Sequence, residues 1–260
     1  MDLGLRERVA IVTGASRGIG RAIAHGLVNE GARVLLCARD ADALATVATD
    51  LSGSAVAFPV DVTDAAAADA IVGAALAAFG RLDIVVNNAG GAAPKALVQL
   101  TSEDWQAGLE LNFLAAARLS VAAAPVLRAA GWGRLVHVAS TNGREPDPLF
   151  APYSAAKAAL LNLSTSLSRA FAADGVLSSC VVPGVTLTEL VEANALATAV
   201  RTDRSPPEVM QRMLAAQGVP TGRFGTPAEI AAAVVFLASE QAAWITGATL
   251  AVDGGTLRGT

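Results

Sequence analysis

The segment that most constrains the fold is a glycine-rich stretch directly after a short apolar run. Arg8–Val12 is the apolar run, residues 13–20 read TGASRGIG, and an amphipathic helical pattern continues to about Glu30. In the order strand, loop, helix, such glycines favour dinucleotide binding. Gly14 permits the tight turn, Gly18 lets backbone amides approach a pyrophosphate, and Gly20 lets the helix pack closely. The alternative is a glycine turn with no ligand.

The rest of the chain repeats this alternation of short apolar runs and helical patterns. Further strands are expected at 33–38, 55–60, 82–86, 134–140, 177–182 and 249–252. Alternating strands and helices pack as a parallel sheet covered on both faces. We therefore predict an α/β fold, a single Rossmann-type doubly wound parallel sheet of about seven strands. No internal repeat or linker divides residues 1–260, so one domain is expected.

Composition narrows the class of partner. Of the 260 residues, 53% are apolar and 16% are charged, which is typical of a globular enzyme with a large core. The net charge of −4 argues against nucleic acid and against acidic membrane surfaces as partners. Cys37 and Cys180 lie in apolar runs and are interpreted as buried thiols. A reducing cytoplasm is the expected location, and we assign no metal site.

The end of the second strand bears on the choice of cofactor. Counting about eighteen residues from Gly20, the position that holds an acidic residue in NAD-binding proteins falls at Ala38. Arg39 follows it, and Arg17 lies in the glycine loop, so two guanidinium groups are available to a 2′-phosphate. Asp40 argues against this, but it is interpreted as the N-cap of the next helix. NADP(H) is the preferred cofactor, with NAD(H) as the alternative.

Two further strand ends suggest contacts for a flat ligand. Asp61 and Val62 follow the third strand, where a carboxylate can accept from an adenine amino group. Asn88, Ala89 and Gly90 follow the fourth strand and leave space for a planar ring. Ligands bind at the carboxyl ends of the strands in sheets of this kind.

The chain has one tyrosine and two lysines, and Tyr153 precedes Lys157 by four residues. On the helix predicted from Ala155 to Ala172, such a pair shares one face. A neighbouring ammonium favours the phenolate, so we predict that Lys157 lowers the pKa of Tyr153 and fits it for acid–base chemistry. The alternative is an aromatic residue at a helix start beside a solvated lysine.

Polar residues in apolar surroundings complete the candidate set. Ser140 ends the fifth strand, thirteen positions before Tyr153. His137, within that strand, is interpreted as a hydrogen-bonded core histidine. Asn112 lies in an apolar helical stretch, so its amide must be hydrogen-bonded, and it can bend the helix and hold a water.

Together these motifs resemble the short-chain dehydrogenase/reductase family over the whole chain, and in particular its 3-oxoacyl-carrier-protein reductase-like members. The order and spacing of the motifs carry the resemblance. They are Thr13-Gly14-x-x-x-Gly18-x-Gly20, Asp61-Val62, Asn87-Asn88-Ala89-Gly90, Asn112, Ser140, Tyr153-x-x-x-Lys157, Pro183-Gly184 with Thr188, and Val252-Asp253-Gly254-Gly255.

The resemblance implies roles for these residues. Tyr153 is expected to be the general acid in carbonyl reduction and the general base in alcohol oxidation, while Ser140 holds the substrate oxygen. Lys157 would bond the nicotinamide ribose, and Asn112 would hold a water of a proton relay. The expected cofactor contacts are Gly14, Ser16, Arg17, Gly18, Ile19, Gly20, Arg39, Asp61, Val62, Asn88, Ala89, Gly90, Tyr153, Lys157, Pro183, Gly184, Thr186 and Thr188.

The remaining expectations concern substrate and assembly. Residues 186–217 form a long insertion after a strand end and are interpreted as a substrate lid. The resemblance implies a homotetramer and a small carbonyl or alcohol substrate. A reductase of 3-oxoacyl thioesters and a dehydrogenase of a secondary alcohol, sugar or polyol both fit, and a non-catalytic dinucleotide-binding protein is the third alternative.

Overall fold

Residues 2–259, which the computed structural model describes, form one sheet of seven parallel strands in the order β3-β2-β1-β4-β5-β6-β7. This confirms the predicted doubly wound sheet. The strands are β1 (Val9–Thr13), β2 (Arg33–Ala38), β3 (Ala55–Pro59), β4 (Ile84–Asn87), β5 (Gly133–Val138), β6 (Val176–Pro183) and β7 (Thr249–Val252).

Helices cover both faces of the sheet. They are α1 (Gly18–Asn29), α2 (Ala41–Asp50), α3 (Ala67–Phe79), α4 (Ser102–Leu109), α5 (Ala115–Ala129), α6 (Ala151–Phe171), α7 (Glu189–Thr202), α8 (Pro206–Gln217) and α9 (Pro227–Ala238). One core lies between the sheet and α1, α2 and α9, and a second lies between the sheet and α3, α5 and α6. The order of strands reverses between β1 and β4, which is where such sheets bind ligands.

Side-chain caps set several helix starts. The Asp40 carboxylate accepts from the Ala43 amide at 3.0 Å, which confirms its predicted role as the N-cap of α2. The spacing of Thr226 and Glu229 in the sequence predicts a capping box, and the two residues form it at the start of α9. Asp64 precedes the Ala-rich helical pattern, which predicts that it caps the third helix, and this prediction is wrong. A turn intervenes, and α3 begins three residues later with Ala66 at its N-cap position.

The helical stretch Ser102–Ala129 is interrupted by a π-helical turn at Glu110–Leu114 that contains Asn112. By length and composition this stretch is apolar enough to cross a membrane, a criterion that core helices of soluble proteins also meet. Here its α5 portion packs on α3 and contributes Leu119, Ala123 and Leu127 to the core.

Residues 186–217 contain α7 and α8, which pack on each other. Asp203, with φ of 50°, ends α7, and α8 begins at Pro206 after the Ser205 cap. The Pro206-Pro207 pair restricts the backbone and predicts a boundary between two short helices, and the boundary lies beside it. Ala195, Ala199 and Val209 form a small core of their own between the two helices.

Candidate active site

The glycine loop leaves no room for side chains at the start of α1. A Cβ added at Gly20 would lie 2.1 Å from the carbonyl oxygen of Gly14, so the first turn of α1 packs directly on the loop backbone. Gly18 has φ of 55°, in the left-handed region that favours glycine. Ser16, Arg17 and Ile19 lie between these glycines, with Arg17 exposed at the N-cap position of α1.

Thr13 joins the glycine loop to the end of β4, a connection that the sequence interpretation missed. Its hydroxyl oxygen accepts from the amides of Asn88 and Ala89, both at 3.0 Å. In return the Asn88 side chain donates to the carbonyl oxygen of Thr13 at 2.8 Å. A polar residue at the buried end of β1 is the only sequence signal for this clasp. The clasp fixes the Asn88–Gly90 segment beside the glycine loop, residues 13–20, which is called the dinucleotide loop from here on.

Gly90 lies against both Asn112 and Lys157. A Cβ at Gly90 would lie 2.7 Å from Asn112 Oδ1 and 3.3 Å from Lys157 Nζ, so only glycine fits there. The Asn112 side chain accepts from the Gly91 amide at 2.9 Å and donates to the carbonyl oxygens of Gly91 and Gly108 at 3.0 Å. The expectation that this amide bonds backbone at a distortion of the helix is thereby confirmed.

Ser140, Tyr153 and Lys157 meet at the carboxyl edge of the sheet. Ser140 lies two residues beyond β5, while the other two lie one turn apart on α6. The 3₁₀ turn Thr141–Gly143, which follows Ser140, packs closely on α6. A Cβ added at Gly143 would lie only 2.9 Å from the carbonyl carbon of Lys157. This contact fixes the strand end against the helix that carries Tyr153.

Lys157 is buried, with 3% of its surface exposed, so the alternative of a solvated surface lysine is wrong. Its ammonium group donates to the carbonyl oxygen of Val138 at 2.7 Å and lies 5.6 Å from the centroid of the Tyr153 ring. Burial lowers the pKa of Lys157 to about 8. The amine thus retains most of its charge at neutral pH.

The predicted direction of the Tyr153 pKa is wrong for this structure. Burial raises the pKa of the Tyr153 phenol, and a hydrogen bond with Ser140 opposes that rise only in part. The ammonium group of Lys157 is directed to Val138 instead. Such a phenol is protonated at neutral pH, but it is a weaker acid than a free tyrosine, since general acid–base catalysis is most efficient when the pKa lies near the operating pH.

His137 is a hydrogen-bonded core residue, as predicted. Its Nδ1 lies 3.2 Å from Asn87 Nδ2, and its Nε2 lies 3.3 Å from Ser178 Oγ. The Asn87 amide is a donor, so Nδ1 accepts and Nε2 carries the proton. Burial lowers the pKa of His137 to about 3, so the ring stays neutral beside Lys157.

The ends of β2 and β3 hold the residues predicted to contact the adenosine. Ala38 ends β2 without a carboxylate, and the Asp40 carboxylate is engaged at the start of α2. The Arg39 side chain is 80% exposed, with Nη1 3.9 Å from Asp61 Oδ2. Asp61 Oδ1 accepts from the Thr63 amide and hydroxyl, and these bonds hold the pKa of Asp61 below its usual range. Val62 lies next to it, half-buried.

The end of β6 forms the opposite wall. Pro183 ends the strand, and a Cβ at Gly184 would lie 2.8 Å from the Asp253 backbone. The Thr186 hydroxyl donates to the carbonyl oxygen of Gly184 at 3.0 Å. Thr188 caps α7, and its methyl group would lie 3.3 Å from a Cβ at Gly18, so this wall reaches the glycine loop.

The site fits a bound nicotinamide dinucleotide. The observations behind this are the glycine loop at the start of α1, the exposed Arg39 after β2, and Gly90 between Asn112 and Lys157. Within residues 2–259, no group of three or more His, Cys, Asp or Glu side chains could hold a metal ion. The residues predicted for catalysis and for the cofactor lie at one edge of the sheet, where its parallel strands end.

Comparison with known proteins identifies the family. The model of the short chain dehydrogenase family matches residues 8–198. The chain is 37% identical to the 3-oxoacyl-acyl-carrier-protein reductase FabG of Salmonella typhimurium, over 97% of this chain and 98% of that protein. It is also 39% identical to cis-4-hydroxycyclohexanecarboxylate dehydrogenase of Sinomonas cyclohexanicum, over 98% of each.

A solved structure shows the same architecture. L-sorbose reductase from Gluconobacter frateurii, complexed with NADPH and L-sorbose, superposes with a TM-score of 0.96 at 34% identity and covers all of both chains. The chain belongs to the short-chain dehydrogenase/reductase family. It is an NAD(P)-dependent oxidoreductase that acts on carbonyl and CH–OH groups.

Proposed function

We propose that the protein interconverts a carbonyl compound and a secondary alcohol with NADP(H), using Tyr153 as the general acid and base. The carrying observation is that the buried Lys157 ammonium lies 5.6 Å from the centroid of the Tyr153 ring and beside Gly90, at the carboxyl edge of the sheet. Relatives that reduce or oxidise such groups support the reaction class.

Each protein residue has a separate task. The bound nicotinamide supplies or accepts the hydride. In reduction, Tyr153 gives its hydroxyl proton to the substrate oxygen, and Ser140 hydrogen-bonds that oxygen as charge develops on it. The Lys157 ammonium is the positive charge available to the resulting phenolate. Asn112 lies against Gly90 beside Lys157. A water hydrogen-bonded to Asn112 Oδ1 would return the proton to the Tyr153 phenolate.

NADP(H) is the proposed cofactor for three reasons. Ala38 places no carboxylate at the end of β2, Asp40 is engaged as a cap, and Arg39 is exposed with only a 3.9 Å contact to Asp61. Arg17, exposed on the glycine loop, is the proposed second contact. The remaining proposed contacts are those of the dinucleotide loop and strand ends described above.

The α7–α8 pair is proposed as the substrate lid, in one domain that extends over residues 1–260. Thr188 joins it to the glycine loop, so movement of α7 would open the site. The substrate is proposed to be a small carbonyl or alcohol. A 3-oxoacyl thioester and a sugar or other secondary alcohol both agree with the relatives, and NAD-dependent oxidation of such an alcohol is the alternative function.

A homotetramer in the cytoplasm is proposed on the family resemblance. Leu160, Leu163, Leu167 and Phe171 have the spacing of an apolar stripe on α6. This stripe does not support the tetramer, because Leu160 and Leu167 are buried in the subunit's own core. Better support comes from the edge strand β7, where Leu250 is 38% exposed and the nearby Trp244 is 100% exposed. The unpaired buried thiols Cys37 and Cys180 agree with a reducing compartment.

The test is a substrate screen in both directions with both cofactors. Purified protein is mixed with NADPH or NADH and a panel of 3-oxoacyl thioesters, ketoses and cyclic ketones, and with NADP⁺ or NAD⁺ and the matching alcohols. Turnover with NADPH at a higher kcat/KM than with NADH is expected. Cofactor binding without turnover across the panel would favour a non-catalytic dinucleotide-binding protein.

A further inference from the structure

Glu189 carries an acidic side chain to the dinucleotide loop. It is the first residue of α7, directly after Thr188. Its Oε2 lies 3.6 Å from the position of a Cβ built on Gly18. The carboxylate therefore lies beside the loop whose backbone amides would approach the cofactor pyrophosphate.

Arg21 holds this carboxylate in place. Its guanidinium lies 2.6 Å from the other carboxylate oxygen of Glu189. Arg21 lies on α1, three residues after Gly18, so the pair joins the lid helix to the helix of the dinucleotide loop. The two side chains are 47% and 42% exposed, and ion pairs with such exposure are weak and salt-sensitive. The contact can be broken by a competing ligand.

The start of α1 carries no negative group within the helix itself. Its N-cap residue Arg17 makes no side-chain hydrogen bond to the helix amides, and no acidic residue lies in its first turn. By contrast, Thr101, Ser205 and Thr226 cap α4, α8 and α9 through their side chains. A helix start with free amides attracts a negative group. The Glu189 carboxylate lies close to this helix start and is paired with Arg21.

We propose that Glu189 is a determinant of cofactor affinity: its carboxylate lies beside the dinucleotide loop, opposes the negative charge of the pyrophosphate and is displaced when the cofactor binds. Because the carboxylate belongs to α7, displacement couples cofactor binding to movement of the lid. This inference rests on the binding of a dinucleotide at the glycine loop, which the proposed function includes.

The opposite role makes the opposite prediction. If the Arg21–Glu189 pair instead closed the lid over bound cofactor, removing the carboxylate would weaken cofactor binding. The sign of the change in affinity therefore decides between the two.

The experiment compares Glu189→Gln with Glu192→Gln. Glu192 lies in the same first turn of α7 and is exposed, so the control removes the same charge from the same helix start. Dissociation constants for NADPH and NADH are measured by fluorescence titration at low and high NaCl. Thermal unfolding confirms that both variants are folded, and Glu189→Ala serves as a second variant.

We expect Glu189→Gln to bind NADPH roughly two- to fivefold more tightly than the wild type, as for a single charge at a helix start, with the difference shrinking in high salt. Glu192→Gln stays at the wild-type value. The same gain is expected for 2′-phospho-ADP-ribose, which carries the pyrophosphate. Adenosine 2′-phosphate, which lacks it, should bind the variant and the wild type equally.

A second measurement needs no cofactor. Loss of the contact to Arg21 should speed hydrogen exchange of residues 188–202 in Glu189→Gln and not in Glu192→Gln. Unchanged or weaker NADPH binding by Glu189→Gln would overturn the proposal, as would an equal gain in Glu192→Gln. Failure of the wild type to bind any dinucleotide would instead overturn the proposed function.

Discussion

Replacing Arg39 by alanine tests the cofactor preference. Charge-assisted hydrogen bonds contribute about 1.5–3 kcal/mol. Part of this free energy is offset at Arg39, because its side chain is 80% exposed. The guanidinium must also weaken its 3.9 Å contact with Asp61 to reach a 2′-phosphate. Exposed pairs of this kind contribute at most about 1 kcal/mol. A net loss of roughly 1–2 kcal/mol corresponds to a five- to thirtyfold rise in the NADPH dissociation constant.

The assay is a titration of NADPH and NADH against the wild type and Arg39→Ala, followed by Michaelis constants for both. NADH binding should change less than about twofold, because NADH has no 2′-phosphate. Arg6→Ala is the matched control, since this exposed arginine lies beside Gly31, at the opposite end of β2. Equal wild-type affinity for both cofactors, or an equal loss of both in Arg39→Ala, would refute the assignment.

Three further predictions concern pH, the lid and assembly. Burial lowers the pKa of Lys157 from 10.5 to about 8, so between these values the unfolded chain binds more protons and the free energy of unfolding should rise with pH. Relative to Lys157→Met, chemical denaturation of the wild type should show this rise, at most about 1.4 kcal/mol per pH unit, and a flat difference would contradict the burial argument. Hydrogen exchange should be faster in α7 and α8 than in the central strands of the free protein and should slow on substrate binding, whereas equal protection of lid and sheet would contradict the lid. Light scattering at micromolar concentration should give the mass of a tetramer, and a monomer would refute that proposal.

The fold and the edge that holds the site were predictable because local patterns decide them. Alternating apolar runs and helices specify a parallel sheet, and the glycine loop marks the end of its first strand. Asp40 and Thr226 could be recognised as caps because a cap depends on residues only three positions away.

Features that depend on distant packing were not predictable. The direction of the Tyr153 pKa depends on burial and on the orientation of Lys157 toward Val138, and neither follows from their spacing of four. The clasp between Thr13 and Asn88 and the contact between Arg21 and Glu189 join residues far apart in the chain. Asp64 failed as a cap because a turn, invisible in the residue pattern, delays the start of α3.

Replacing Tyr153 by phenylalanine tests the central claim most directly, because it removes the only phenol in the chain and keeps the ring. With a ketone substrate identified in the screen, kcat should fall by at least ~10²-fold, as expected for loss of a general acid. The NADPH dissociation constant, measured on the same sample, should stay within about twofold of the wild-type value because the fold and the dinucleotide loop are unchanged. Full turnover by Tyr153→Phe would contradict the assignment of Tyr153 as the proton donor.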